Sequence, residues 1–132
     1  DLVRSRGLGD VYKRQEQDAF LESMAASAQS VADYFGDNIL YINVMNNLSI
    51  DCDCDSNPHD PEMKDIGILA STDPVALDQA CLDLVYAVKP TEGNDNRPLV
   101  NRIESLHGRH TVDYAETIGL GSKNYELVVL DT

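Results

Sequence analysis

Ile66-Gly67-Ile68-Leu69-Ala70-Ser71-Thr72-Asp73-Pro74-Val75-Ala76-Leu77-Asp78 is the stretch whose reading decides the fold. Ile66 to Ala70 is apolar and too short for a helix, so it reads as a buried strand. Ser71-Thr72-Asp73-Pro74 then signals a helix start, with Asp73 as N-cap and Pro74 at the first helical position, where a missing N–H costs nothing. The helix is expected to run to about Val88 and to stop before Pro90. Its inward face is Leu77, Cys81, Leu84, Val85 and Val88, with Asp78 and Asp83 outside. Cys81 on that face is expected to be an inert core thiol.

Working outward, Ile39-Leu40-Tyr41-Ile42-Asn43-Val44 is a second short apolar strand, preceded by an amphipathic helix over Glu16 to Phe35 that Gly36 ends. Phe20, Leu21, Met24, Ala28, Val31 and Phe35 recur at helical spacing and mark its inward face. Downstream, Pro98 to His107 and Thr111 to Ile118 read as two further helices closed by Gly108 and Gly119, and Thr91 to Asn96 as a freely variable polar loop. Tyr125 to Leu130 reads as a last strand. The order α-β-β-α-α-α-β predicts an α/β fold: a small, mostly parallel or mixed sheet of about three strands, flanked by helices and buried on both faces.

Between the first two strands lies Asp51-Cys52-Asp53-Cys54-Asp55, continued through His59. Extended backbone would put Cys52 and Cys54 on one face and Asp51, Asp53 and Asp55 on the other. Carboxylates on both sides raise a thiol's pKa, whereas a cation reverses the sign. The functional reading is a divalent metal held by Cys52, Cys54 and His59 with help from Asp51, Asp53 and Asp55. The plainer reading is a turn whose cysteines pack as small hydrophobes and whose aspartates accept from nearby backbone N–H groups. Asp51, Asp53, Asp55 and Glu62 also take positions 1, 3, 5 and 12 of a calcium loop. Ser56 replaces the turn glycine and the preceding element reads as a strand, so that match fails. A catalytic thiol would need a cationic neighbour, and only Lys64 is near in sequence. No glycine-rich phosphate loop, nucleophile elbow or paired acid/base spacing supports an enzyme.

The chain has 132 residues, with 23 acidic against 10 basic side chains and a formal charge of −13. That balance repels phosphate backbones and anionic lipid, so neither nucleic acid nor a membrane surface is an expected partner, and cations are. Three cysteines at these spacings make no disulfide framework, which predicts a reducing, cytoplasmic setting. Four of the ten basic residues fall in Asp1 to Gln15. That string is similar to a translated sequencing adapter, and it is expected to be an artefactual or disordered extension. Residues 16–132 are then the C-terminal part of a single α/β domain.

From Glu16 on, the chain resembles the iron–sulfur-associated family catalogued as domain of unknown function 362. The resemblance rests on Tyr41-Ile42-Asn43-Val44-Met45-Asn46-Asn47, Asp51-Cys52-Asp53-Cys54-Asp55, Asp65 to Ala80 with its Asp-Pro-Val-Ala-Leu-Asp run, and Ile118-Gly119-Leu120-Gly121. It implies an iron–sulfur redox or electron-transfer protein whose cluster ligands come from ferredoxin-type cysteine runs ahead of the first helix, as a segment this chain does not carry. Cys52, Cys54 and Cys81 cannot hold a four-thiolate cluster alone. Two roles remain open: a metal or electron-transfer protein, or a non-catalytic α/β module supporting a cluster domain. Either way the chain is expected to be an incomplete part of a larger domain, with uncovered edges that favour self-association.

Overall fold

The computed structural model describes residues 2–51, 54–57 and 59–130. Six elements follow one another: α1 (Leu2–Phe35), β1 (Tyr41–Met45), β2 (Gly67–Ser71), α2 (Pro74–Ala87), α3 (Arg97–Ser105) and α4 (Arg109–Thr117). α2 is the centre. Asp73 sits in extended conformation and its Oδ1 accepts from the backbone N–H groups of Val75 (2.9 Å) and Ala76 (3.1 Å), so the predicted cap and Pro74 start the helix as read. The helix ends at Ala87, two residues short of Lys89, whose backbone Pro90 biases away from helix.

One side of α2 carries the strands, with α3 against the same cluster, and the other side carries α1 and α4. Met45 and Val85 form one buried cluster with Met63, against which Leu69, Cys81, Leu84, Leu99 and Val100 pack. Val75 joins Ala25 of α1 and Val112 and Ala115 of α4 in a second cluster. The layers are therefore sheet, then α2 with α3, then α4 with α1, an arrangement of helices and strands that is mixed α/β.

The sheet departs from expectation in three ways. Among the described residues it has two strands, and they pair antiparallel, Tyr41 opposite Ser71 and Met45 opposite Gly67. A parallel return needs a crossover, usually helical, and the segment between β1 and β2 is rich in turn residues and contains no helix among its described residues. The third expected strand, Tyr125 to Leu130, carries no ladder. It faces β2 across a groove of about 660 Å³ and is moored by Tyr125 Oη, which donates to Asp83 Oδ2 at 2.7 Å. High strand propensity does not make a strand where no ladder partner is in reach.

The third departure is burial. Cross-strand partners share a face, so Ile42 with Ala70 and Val44 with Ile68 lie on one side, and Tyr41, Asn43, Leu69 and Met45 on the other. The second side packs on α2. The first is open: Ile42 is 57 % exposed, Val44 61 % and Ile68 72 %. Helices cover only one face of this sheet.

α1 repeats the pattern. It starts at Leu2, ahead of the expected boundary at Glu16; a helix already nucleated adds residues at little cost. Gly36 follows its last turn with φ +56, the left-handed conformation that ends helices, and donates to Ala32 O. Among the described side chains of this helix, Leu21 and Ala25 are the buried ones. Phe20, Met24, Val31 and Phe35, expected inward, form an exposed stripe instead. The inward face is partly polar: Gln17 donates to Leu106 O at 3.1 Å and Gln29 to Ile118 O at 2.7 Å, which satisfies carbonyls at the ends of α3 and α4.

The loop before α3 is not freely variable either. Asn96 is buried and its side-chain amide donates to Val85 O at 2.8 Å, Asn94 Oδ1 accepts from Lys64 N–H at 3.0 Å, and Asp95 N–H donates to Glu62 O at 2.8 Å. These bonds fix the exit of the acidic segment against the C-terminal end of α2. Arg97 in turn holds the Asp95 carboxyl well below the usual carboxylate range, at about 2, through paired hydrogen bonds.

Candidate functional site

Three places could carry chemistry. The first is the acidic loop, where Cys52 and Asp53 lie outside the described residues. Asp51 is half-buried, and its carboxylate pairs with Arg102 at 2.7 Å. α3 brings this cation to the loop from 51 positions away in sequence, which is why Lys64 alone was in view. A pair this exposed is worth at most about 1 kcal/mol, yet it offsets one of the charges that would otherwise favour a metal. Cys54, Asp55 and His59 are exposed. Asp55 Oδ1 accepts from Asn57 N–H at 2.9 Å, as the plainer turn reading expects. Both ends of the loop are fixed: Met63 is buried beside Met45, and Asp65 Oδ1 accepts from Asn47 N–H at 3.0 Å, where Asn47 adopts φ +51.

The second place is the start of α2. Asp73 Oδ1 caps the helix, and its Oδ2 accepts from Ser122 N–H at 2.9 Å. Both oxygens are thus engaged by backbone. Gly121 explains the close approach, because a Cβ there would lie 2.0 Å from Asp73 Oδ1. Asp78 is engaged by Asn43, whose side-chain amide donates to Asp78 Oδ1 at 2.9 Å and to Cys81 Sγ at 3.4 Å. Burial pushes the Cys81 thiol up, and the nearby Asp78 charge adds to that, so Cys81 is a poor nucleophile and a poor ligand.

The third place was not legible as a site. Asp18 and Glu22, four residues apart on α1, face His107 and His110, three apart at the α3–α4 corner. Asp18 Oδ1 lies 2.5 Å from His107 Nδ1, and Glu22 Oε1 lies 2.9 Å from His110 Nε2. The two rings stack, centroids 5.1 Å apart and planes 12° from parallel. One ligand atom from each of Asp18, His107 and His110 falls within 4.8 Å of the others, and all three residues are half-buried. The hydrogen bond from His107 draws the Asp18 carboxyl below its ordinary range. His107 itself has φ +54, an uncommon conformation for a side chain-bearing residue. The signal in the sequence is a pair of carboxylates at helical spacing, Asp18 and Glu22, together with a His-x2-His pair.

Residues 4–83 match the model of the family described as Domain of unknown function (DUF362). The chain belongs to this family. The match takes in both strands, the acidic loop and most of α2, while α3 and α4 lie beyond it. No curated protein and no solved structure matches the chain. The Asp-Pro-Val-Ala-Leu-Asp run is accounted for by architecture: Asp73 caps and ties, Val75, Ala76 and Leu77 are buried, and Asp78 orients Asn43.

A four-thiolate iron–sulfur cluster does not fit the donors of this chain. There are three cysteines in all, and Cys81 lies against the core between α2 and the sheet, bonded to Asn43. Among the described residues no helix is long and apolar enough to cross a membrane.

Proposed function

We propose that this chain is the α/β supporting module of an iron–sulfur-linked electron-transfer protein, and that it seats a cluster-bearing, ferredoxin-like segment rather than holding a cluster itself. The observation that carries the reading is the open sheet face of Ile42, Val44, Ile68 and Ala70, apolar throughout and uncovered. A contiguous apolar face of this kind marks an interaction surface. The exposed stripe of Phe20, Met24, Val31 and Phe35 on α1 supports the same conclusion. The motif acids support it as well, since Asp73 and Asp78 are engaged in holding α2 to its neighbours. In the absence of the partner the open face drives self-association.

The test mixes the chain anaerobically with a cluster-loaded ferredoxin-like segment from a DUF362 protein and follows sedimentation velocity. A one-to-one complex is expected, and the double variant Ile42→Asp, Val44→Asp should abolish it, along with self-association, while leaving the thermal midpoint of the chain close to the parent value. Absence of a complex, or a complex indifferent to the double substitution, contradicts the reading.

A further inference from the structure

We propose that Asp18, His107 and His110 form a divalent-metal site of the zinc class that clamps α1 to the α3–α4 corner, with Glu22 as the outer carboxylate that orients His110. The site is separate from the acidic loop and from the open sheet face. Its donor set contains no thiol.

The geometry is close to what such an ion requires. Zinc binds imidazole nitrogen and carboxylate oxygen at about 2.0–2.2 Å. Neighbouring ligand atoms then stand about 3.4 Å apart, given near-tetrahedral angles. Asp18 Oδ1 and His107 Nδ1 are 2.5 Å apart as a hydrogen-bonded pair, so admitting the ion replaces the shared proton and opens the pair by about 1 Å. The atom offered by His110 is within 4.8 Å of both. Three protein ligands leave a fourth position to water. Glu22, 2.9 Å from His110 Nε2, supplies the carboxylate–imidazole contact that commonly fixes a ligating ring, and it assigns His110 Nδ1 to the ion.

Backbone and charge agree with the assignment. Asp18 and Glu22 are like charges at i and i+4 on one helix, an arrangement that destabilises α1 unless a cation faces it. Between α1 and α4 the apolar packing sets Ala25 against Val112 and Ala115, with Tyr114, Ile118 and Leu120 around them, and the polar contact at the corner ties α1 at a separate point. His107 holds φ +54 at the corner, where glycine would be the easy choice, and its ring meets α1 from that conformation. With a formal charge of −13, the chain attracts divalent cations in general, and this cluster gives one of them mixed nitrogen and oxygen ligands.

The experiment uses the full chain stripped with a chelator, titrated with Zn2+ by calorimetry and with Co2+ by absorption. One ion should bind per chain and raise the melting temperature. The cobalt complex should show d–d bands without a thiolate charge-transfer band. His107→Asn with His110→Asn should remove binding, Glu22→Gln should weaken it about tenfold and shift the cobalt bands, and Cys52→Ser with Cys54→Ser should change nothing. If the double histidine variant does not fold, as judged by circular dichroism, Asp18→Asn takes its place, because an amide can still hydrogen-bond His107. A thiolate charge-transfer band that disappears in the cysteine variant assigns the metal to the loop and overturns the proposal. So does binding that survives Asp18→Asn and the histidine substitutions, or no binding at all. None of these results bears on the sheet face.

Discussion

Replacing Asp73 by alanine is expected to lower the unfolding free energy by about 2 kcal/mol, about 1 for the lost N-cap and about 1 for the orphaned Ser122 N–H. The melting temperature should fall by about 8 °C for a domain of this size. Both carboxylate oxygens are engaged, one on Val75 and Ala76 at the helix start and the other on Ser122 after the last helix, so a single side chain closes α2 against the turn that follows α4. Gly121→Ala should cost a similar amount by a different route, since its new Cβ would sit 2.0 Å from Asp73 Oδ1 and force the carboxylate away. The two substitutions remove the same contact, and the double variant should therefore lose clearly less than the sum. Thermal or urea unfolding of the three variants checks this. A loss within about 0.5 kcal/mol for Asp73→Ala would show that the cap is incidental.

Met45→Ala and Ile42→Ala should behave as opposites, although the residues share one strand and a similar side-chain size. Met45 is 5 % exposed and packs with Met63 and Val85, so its truncation should cost about 2–4 kcal/mol through lost burial and the cavity left behind. Ile42 is 57 % exposed on the open face, and truncating it should cost less than about 0.5 kcal/mol in the isolated chain. Denaturant unfolding measures both. Equal losses would mean that the open face is buried in solution and that the one-sided sheet is wrong.

The local signals were legible and the pairings were not. Asp73-Pro74 states a helix start whatever the surroundings, because the cap is made within three residues. Gly36 and the short apolar runs at Tyr41 and Gly67 are similarly self-contained. Period and propensity, however, say which residues are apolar and not whether anything lies opposite. Phe20, Met24, Val31 and Phe35 kept perfect helical spacing and still ended outside, while the narrower face of Leu21 and Ala25 went in with glutamines and carboxylates beside it. Tyr125 to Leu130 had the composition of a strand and no ladder to join. Contacts around the candidate sites have the same origin: Arg102 reaches Asp51 and His107 reaches Asp18 only because helices distant in sequence pack together, and no spacing within one segment records that. Of the residues favoured for a metal, Asp51 pairs with Arg102, Asp55 accepts from Asn57 N–H, Cys54 and His59 are exposed, and Cys52 and Asp53 lie outside the described residues.

The central claim is that the face of Ile42, Val44 and Ile68 is a seat for a cluster-bearing segment, and isoleucine methyl NMR tests it most directly. The chain, labelled at isoleucine δ1 methyls, is titrated with the anaerobically loaded ferredoxin-like segment. The account predicts shifts and broadening concentrated at Ile42 and Ile68, with Ile103 on α3 and Ile118 after α4 unmoved. A titration that leaves Ile42 and Ile68 unchanged, or that moves Ile103 and Ile118 instead, contradicts it.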